Sequence, residues 1–207
     1  MKLAIGLFGI HYIGKLNHWM GWKNGVDYRK TYTNQSNLIY SKFQTKYYSA
    51  TYYSDIEKEL LSNYNFSNIS FAEVDNSSSN PLIKRNTIFK NTVKLILDND
   101  TDSDLVLLTR YDLGFKGGFD LFNIDYNKIN FLCGNRSGND SDLVDDNFYI
   151  IPKSLLKYFY ETINEAPENV SSHLYHKLFE DYNFMIDGWY YSHENPFYDI
   201  TRINFET

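Results

Sequence analysis

The sequence predicts an α/β fold in which helices flank a mixed, mostly parallel central sheet. Strand and helix patterns alternate through the first half of the chain, which is typical of sheets built from crossover units. The segment 104–108 is almost entirely apolar, as expected for a central strand that is covered on both faces. The 207 residues contain no repeat or linker long enough to divide the chain, so a single domain is expected.

Strand patterns occur at six places along the chain. The first strand carries Gly6 and Gly9 among apolar residues, and glycines near a strand end allow a ligand to approach the backbone closely. The second is rich in Tyr and Thr, which favour extended structure. The predicted strands are 2–10, 46–53, 69–74, 104–108, 128–134 and 147–151.

Helix patterns separate these strands. The clearest covers 84–97, where apolar residues recur at helical spacing. Ser54, followed by Glu57 three residues later, forms a capping box that begins a short helix. The predicted helices are 33–43, 54–61, 84–97, 152–163 and 173–184, whereas 11–32, 75–80, 135–142 and 189–205 are expected to be irregular.

Composition excludes several classes of protein. The formal net charge of -6 argues against a nucleic-acid partner, because phosphate contacts need clustered Lys and Arg. No apolar stretch reaches the roughly 18 residues that span a bilayer, and no cleavage pattern follows the apolar start. Cys133 is the single cysteine, so no intrachain disulfide can form. A buried thiol and a reducing, cytoplasmic location are therefore expected.

The strongest candidate for chemistry follows the strand 104–108. Arg110 and Asp112 stand two residues apart at its carboxyl end, where open α/β sheets bind ligands, and alternation places both side chains on one side. A carboxylate there can hold a divalent cation, which would neutralise a diphosphate. The alternative is a plain Arg–Asp pair on the surface.

Two adjacent carboxylates, Asp145 and Asp146, directly precede the strand 147–151. One of them could serve as a general base, with a pKa tuned by its neighbours. Adjacent side chains in an extended segment point to opposite sides, so only one can face a pocket, and Asp146 is preferred. The alternative is that both residues only stabilise a turn, in which Asp and Asn are common.

Further candidates lie elsewhere in the chain. Lys84 and Arg85 open the long helix, whose free N–H groups favour anions, although a solvated pair would look the same. His173 and His176 share one face of a predicted helix. Either of them, or His193, is a candidate third metal ligand beside Asp112.

Five short segments, spread over most of the chain, carry a family resemblance. They read KLAIGLFGIH (2–11), KYYSATYYS (46–54), RNTIFKNTVKLI (85–96), DLVLLTRYDLGF (104–115) and LVDDNFYIIPKSLLKYF (143–159). Together they resemble the small GT-A glycosyltransferases of large DNA viruses, in particular the first domain of the chlorella-virus proteins that build capsid glycans. The resemblance implies one GT-A-like, Rossmann-like domain. Residues 1 to about 120 would form its nucleotide-sugar half and about 121–207 its acceptor half.

The resemblance also implies functional residues. The family's nucleotide-binding positions correspond here to Gly6, Phe8, Gly9, Thr51 and Tyr52.

The family's Asp-x-Asp motif, whose carboxylates contact ribose and metal, falls on Arg110-Tyr111-Asp112. Arg replaces the first Asp, while Asp112 matches the second, so the resemblance implies Mn²⁺ or Mg²⁺ at Asp112. The region of the catalytic base in inverting members falls on Asp145 or Asp146.

These observations predict a metal-dependent, inverting glycosyltransferase in the cytoplasm, of a host cell if the chain is viral. It would move a hexosyl or deoxyhexosyl group from a nucleotide sugar, expected to be a UDP-sugar, to a hydroxyl of a glycan or glycoprotein. Arg85 and Arg110 would offset the phosphate charge.

Two alternatives stay open. A nucleotidyltransferase would need a Gly- and Lys-rich loop early in the chain, for which 14–15 and 23–25 are poor matches. A non-catalytic module that binds nucleotides or sugars would suit the 19 Tyr residues.

Overall fold

A computed structural model describes residues 1–13, 24–73, 80–134, 143–186, 197–201 and 203–204. Within these residues the strands are β1 (Lys2–Phe8), β2 (Tyr12–Ile13), β3 (Asn24–Asp27), β4 (Gln44–Tyr52), β5 (Asn68–Ala72), β6 (Leu105–Arg110), β7 (Leu113–Phe115), β8 (Ile129–Phe131), β9 (Phe148–Pro152), β10 (Tyr182–Phe184), β11 (Tyr198–Ile200) and β12 (Ile203–Asn204). Seven of them form the central sheet, in the order β10-β8-β9-β6-β1-β4-β5.

The central sheet is mixed but mostly parallel, as the sequence predicts. β1 pairs in parallel with β4 and β6, β4 with β5, and β8 with β10. Only β9 among these strands is reversed, since it pairs antiparallel with both β6 and β8. Phe148 at the start of β9 therefore lies opposite Thr109 near the end of β6. This reversal brings the residues before β9 to the edge where β1, β4 and β6 end.

The α-helices of the described segments flank the sheet and are α1 (Arg29–Leu38), α2 (Glu57–Tyr64), α3 (Pro81–Asn99) and α4 (Leu156–Glu165). The start of α3 follows from its sequence, because the Asn80 side chain accepts a hydrogen bond from the N–H of Leu82 at 3.0 Å and proline occupies the first turn. Short 3-10 helices occur at Tyr40–Lys42, Phe119–Leu121, Lys153–Leu155 and Ser172–Leu178. Among the described residues, no helix combines the length and apolarity that crossing a membrane requires.

Both faces of the sheet are buried, which explains why its strands are almost continuously apolar. Leu3, Ile5 and Leu7 of β1 point to the face that packs with residues of α2 and β7. Ala4 and Phe8 point to the opposite face, which α3 and α4 cover. The alternation along β1 thus divides the core into two layers, one on each face of the sheet.

The predicted strands are all found, with ends shifted by a few residues, although Val74 lies outside the described residues. The predicted helix 84–97 is confirmed as the longer α3 and 54–61 as α2, which begins at Glu57. The predicted helix 33–43 is displaced, because α1 runs over Arg29–Leu38 and a 3-10 turn follows. The helix 152–163 is confirmed as a 3-10 turn that leads into α4, and Cys133 is buried as expected.

Two predictions of local structure are wrong. The segment 173–184 is not one helix but a 3-10 segment followed by β10, because Tyr182 and Phe184 pair with β8 and extend the sheet. The segments 11–32 and 189–205 are not wholly irregular. They contribute β2, β3 and β12 to a small sheet, and β11 pairs with β7. These pairings join distant parts of the chain, which local patterns do not reveal. The predicted loop 135–142 and most of 75–80 lie outside the described residues.

Candidate functional site

Polar residues gather at the edge of the sheet where β1, β4 and β6 end. In a mostly parallel sheet this is the edge at which ligands bind. β9 begins at the same edge because it runs the other way, and α3 begins there because it leads back to β6. Along the edge the strands follow the order β4, β1, β6 and β9, so residues near 51, 9, 110 and 147 take successive positions.

An uncharged group of side chains lies at the ends of β1 and β4. We call it the neutral cluster and define it as Gly9, His11, Thr51 and Ser54. The Thr51 hydroxyl donates to the Gly9 carbonyl at 2.8 Å, and the His11 ring nitrogens lie 2.8 Å from Thr51 Oγ1 and 2.7 Å from Ser54 Oγ. Gly9 has φ of +93°, and a Cβ added there would have no atom of the described part of the chain within 4 Å. The backbone at Gly9 is therefore open to close approach.

His11 is buried and uncharged. Burial lowers the pKa of its imidazole to about 4, so the ring is neutral at physiological pH. Because Thr51 already donates its hydroxyl proton to Gly9, it accepts from His11, which places the ring proton on Nδ1. Nε2 then accepts from Ser54, whose oxygen also receives the N–H of Ile56 at 3.3 Å.

A charged group of side chains lies beside the neutral cluster, at the end of β6 and the start of β9. We call it the charged cluster and define it as Arg85, Arg110, Asp112, Asp145 and Asp146. Arg110 donates to both Asp112 oxygens, from Nε at 2.8 Å and from Nη2 at 2.7 Å. Its Nη1 donates to Asn147 Oδ1 at 2.9 Å. Such bidentate, charge-assisted contacts fix both geometry and charge.

Asp146 is surrounded by donors. Arg85 forms an ion pair with its carboxylate and donates from Nη2 to its backbone oxygen at 2.8 Å. Ser172 donates to Oδ2 at 2.7 Å, and Nε2 of His173 lies 3.3 Å from the same oxygen. Burial acts to raise the pKa of Asp146, but Arg85, His173 and Ser172 together hold it below its usual range.

Asp145, one residue earlier, has the opposite electrostatic character. Burial raises its pKa, the nearby charge of Asp146 adds to that effect, and the hydrogen bonds it accepts oppose it. Tyr198 donates a short hydrogen bond to Oδ2, and the N–H of Asn147 donates to Oδ1 at 2.9 Å. Two adjacent carboxylates thus have pKa values pushed apart, which is the pattern by which proton-transferring residues are recognised.

The structure places most of the predicted nucleotide-binding residues at this edge. Gly9, Thr51, Arg85 and Arg110 belong to the two clusters. Tyr52 ends β4, and its hydroxyl donates to the Lys84 carbonyl at 3.4 Å.

Phe8 and Gly6 have packing roles. The Phe8 ring packs edge-on against Phe89, with 4.8 Å between ring centroids. A Cβ on Gly6 would lie 2.6 Å from Leu108 Cδ2 and 2.8 Å from Ile96 Cδ1. The absence of a side chain at Gly6 is thus explained by the close approach of α3 to β1, and its predicted nucleotide role stays a prediction.

The described residues do not fit a divalent cation at Asp112 as they stand. Both of its oxygens already accept from Arg110, and its side chain is only 3% exposed. His173 faces Asp146 rather than Asp112, and His176 packs against the rings of Phe131 and Tyr182. In the part of the chain that the structure describes, no three His, Cys, Asp or Glu side chains form a metal-binding group. The third candidate ligand, His193, lies outside it.

Several site residues were not predicted. His11 and Ser54 complete the neutral cluster, and Asn147, Ser172 and Tyr198 hold the charged one. Asn147 directly follows the Asp pair, so its position was a usable signal. Tyr198 carries no such signal, because it reaches Asp145 from a strand about 50 residues later, by pairing with β7.

Comparisons with known proteins report on the fold. No family model matches the chain, and no curated protein matches it. Among solved structures, the chain is similar to 4-diphosphocytidyl-2C-methyl-D-erythritol synthase from Anaerococcus prevotii DSM 20548, with a TM-score of 0.51 and 16% identity over 91% of this chain and 87% of that one. The glycosyltransferase GlyE of Streptococcus pneumoniae TIGR4 matches with a TM-score of 0.45 and 14% identity over 88% of this chain and 44% of GlyE. The chain therefore spans less than half of GlyE, and it shares its α/β fold with the Anaerococcus synthase.

Proposed function

We propose that the chain is a glycosyltransferase that moves a sugar from a nucleotide-sugar donor to an acceptor hydroxyl. The observation that carries this proposal is the neighbouring position of the neutral and charged clusters at one edge of the sheet. A nucleotide sugar has an uncharged base and ribose, an anionic diphosphate and a reactive anomeric carbon. The two clusters offer matching chemistry in the same order along the edge.

The neutral cluster would receive the nucleoside, and the charged cluster the diphosphate. Gly9 lets the backbone approach a ligand, and the oxygen of Ser54, which is only part-buried, can accept a hydrogen bond from a base or ribose. Thr51 is fully buried and would act by holding His11 and the Gly9 backbone in place. Arg85 and Arg110 offset the phosphate charge through planar guanidinium groups. A UDP-sugar is the proposed donor and a glycan or glycoprotein the proposed acceptor, both from the family resemblance.

The reaction proposed is an inverting displacement. The acceptor oxygen attacks the anomeric carbon, the bond to the donor diphosphate breaks, and the diphosphate departs with the electron pair. A carboxylate takes the proton of the attacking hydroxyl. The sequence predicts Asp146 for this role, but its ion pair with Arg85 lowers its pKa and makes it the weaker base. We therefore propose Asp145, whose pKa is raised, as the base.

Release of nucleotide in a donor screen tests the proposal. Purified protein is incubated with a panel of UDP-, GDP- and CMP-sugars, with and without glycan acceptors, and the free nucleoside phosphate is counted. We expect slow hydrolysis of one donor and faster release when a suitable acceptor is present. Nuclear magnetic resonance of the product gives the anomeric configuration. Tight nucleotide binding without hydrolysis or transfer would instead indicate a non-catalytic binding module.

A nucleotidyltransferase is the second candidate, because the fold is shared over 87% of the length of a synthase that makes a diphosphocytidyl compound. It would use a nucleoside triphosphate and a phosphorylated acceptor, and it would release pyrophosphate. The loop that would hold a triphosphate, with Gly14 and Lys15, lies outside the described residues. Pyrophosphate release from CTP or UTP, measured on the same protein preparation, separates this activity from sugar transfer.

A further inference from the structure

The two ion pairs of the charged cluster share one orientation. In the Arg110–Asp112 pair the arginine side chain is 18% exposed and the aspartate 3%. In the Arg85–Asp146 pair the corresponding values are 28% and 3%. In each pair the carboxylate is buried and the arginine side chain is partly exposed. An acidic chain, of net charge -6, therefore has two partly exposed arginine side chains at this edge.

The Arg110 guanidinium is oriented by three hydrogen bonds, and within the described residues its other N–H groups donate to no acceptor. A guanidinium has five N–H donors, and three of those on Arg110 are used by Asp112 and Asn147. The backbone around it is also held, because Gln35 of α1 donates to the carbonyl oxygens of Arg110 at 3.0 Å and of Leu113 at 2.9 Å. An oriented cation with donors left over is suited to a phosphate oxygen.

A divalent cation at Asp112 would compete with these contacts. It would share the carboxylate with two charge-assisted hydrogen bonds and would lie close to a guanidinium that is always protonated, which repels it. The carboxylate in this arrangement orients Arg110 rather than offering itself as a metal ligand.

We infer that Arg110, oriented by Asp112, is the cation that neutralises the donor diphosphate, and that donor binding therefore requires no divalent metal. This inference rests on the proposed function, because it assumes a nucleoside-diphosphate donor. It replaces the metal predicted at Asp112 with a positioning role for that residue. Arg110 is then the group that contacts the phosphate.

Titration of UDP by calorimetry, in excess chelator and in Mn²⁺, tests the inference on the intact protein. We expect dissociation constants that agree within about twofold, a difference well below the 1.4 kcal/mol of a tenfold change. A dissociation constant that falls by tenfold or more in Mn²⁺ overturns the inference but leaves the proposed function intact. Absence of UDP binding in both buffers would contradict the proposed function as well.

Three variants sharpen the test. Arg110→Gln should weaken UDP binding by roughly ten- to a hundredfold, equally in chelator and in Mn²⁺, since one charged hydrogen-bond partner of the phosphate is lost. Arg110→Lys keeps the charge but loses the bidentate contact, so it should fall between the parent and Arg110→Gln. The double variant Arg110→Gln with Asp112→Asn removes both charges. If it also binds UDP weakly, the loss cannot be attributed to a buried carboxylate left without its cation.

The most discriminating variant is Arg110→Asp. It removes the cation and places two carboxylates two residues apart at the end of β6, where they can share a metal ion. We expect this variant to bind UDP only when Mn²⁺ is present, so the metal requirement is created by the substitution. UDP binding by Arg110→Asp in chelator that equals the parent's would overturn the inference. Thermal unfolding of each variant confirms that the titrated protein is folded.

Discussion

His11 of the neutral cluster and Asp146 of the charged cluster are almost equally buried, yet one is uncharged and the other is charged. His11 is 1% exposed and Asp146 is 2% exposed. Burial lowers the pKa of His11 to about 4, so the ring is uncharged, and its two nitrogens contact the hydroxyls of Thr51 and Ser54. Asp146 is buried to the same degree but stays charged, because Arg85 faces it. The partner of a buried group, more than its depth, decides whether the group keeps its charge.

The same comparison separates Asp145 from Asp146 within the charged cluster. Asp146 contacts a guanidinium, a hydroxyl and an imidazole, whereas Asp145 contacts a tyrosine hydroxyl and a backbone N–H. The donors around Asp146 stabilise its anion by more than burial destabilises it, so its pKa is lowered. The donors around Asp145 stabilise its anion by less than burial destabilises it, so its pKa is raised. One residue of separation along the chain thus gives two carboxylates with different chemistry.

The largest expected effect is on the rate of transfer, and it tests this difference directly. Asp145→Asn should lower the transfer rate by about 10²–10⁴-fold, the usual contribution of a general base, while donor affinity changes little. Asp146→Asn is the matched control, since it makes the same chemical change one residue away. Steady-state rates and donor titrations on both variants provide the measurement.

The opposite ranking of the two variants would restore Asp146 as the base, as the sequence predicts. If neither variant slows transfer by about tenfold, the base lies elsewhere or the reaction retains configuration. Asp146→Asn also leaves Arg85 without its carboxylate, so urea unfolding should accompany the rates. Only rates from fully folded protein decide between the two residues.

The second expected effect concerns stability in acid and tests the state of His11. Its folded pKa is about 4, below the value of about 6.5 expected in the unfolded chain. The stability that this depressed pKa contributes is present above pH 6.5 and is lost as the pH falls towards 4. The loss amounts to about 3 kcal/mol at most. Urea unfolding measured across this pH range checks it.

His11→Gln is the control, because glutamine has a donor and an acceptor but does not titrate. The free energy of unfolding of the parent minus that of His11→Gln should fall by about 3 kcal/mol between pH 7 and pH 4. Using the difference removes the contribution of Asp145, whose raised pKa acts in the opposite direction. A difference that stays constant with pH would mean that His11 can accept a proton in the folded protein.

The smallest expected effect distinguishes the two glycines of the first strand. Gly6→Ala should destabilise the fold by about 1–3 kcal/mol through overpacking against α3. Gly9→Ala should destabilise it by about 1–2 kcal/mol, because alanine is strained at φ of +93°. Donor affinity separates them, since only a Cβ at Gly9 projects into open space at the ligand edge. Weaker donor binding by Gly6→Ala alone would contradict the packing role assigned to Gly6.

The sequence predicts the long buried elements better than the short peripheral strands, for physical reasons. β1, β6 and α3 have strong local patterns, because each is buried along a continuous face. β10 and β12 are two or three residues long and form only by pairing with distant strands. Their stability comes from partners that the local sequence does not contain, so the segment containing β10 was assigned to a helix.

In the candidate site, likewise, the sequence predicts individual residues better than the contacts between them. Arg110, Asp112, Asp145 and Asp146 were predicted because each lies at the end of a strand that its own sequence defines. Arg110 and Asp112 do not form the plain surface pair of the alternative interpretation, because the side chain of Asp112 is 3% exposed and that of Arg110 is 18% exposed. The ion pair between Arg85 and Asp146 joins residues 61 positions apart and depends on the reversal of β9. Such contacts follow from topology, which strand patterns alone leave open.

Gln35 has a consequence for how the site meets a ligand. Its amide nitrogen lies within hydrogen-bonding distance of three backbone carbonyl oxygens, those of Arg110, Tyr111 and Leu113, and its amide oxygen accepts from Tyr40. Fixing the backbone of a residue removes about 1–2 kcal/mol of conformational entropy. Because α1 imposes this order when the protein folds, the segment that carries Arg110 and Asp112 has little freedom left to lose. Association with an anion at this edge should therefore show only a small entropic penalty from ordering the protein.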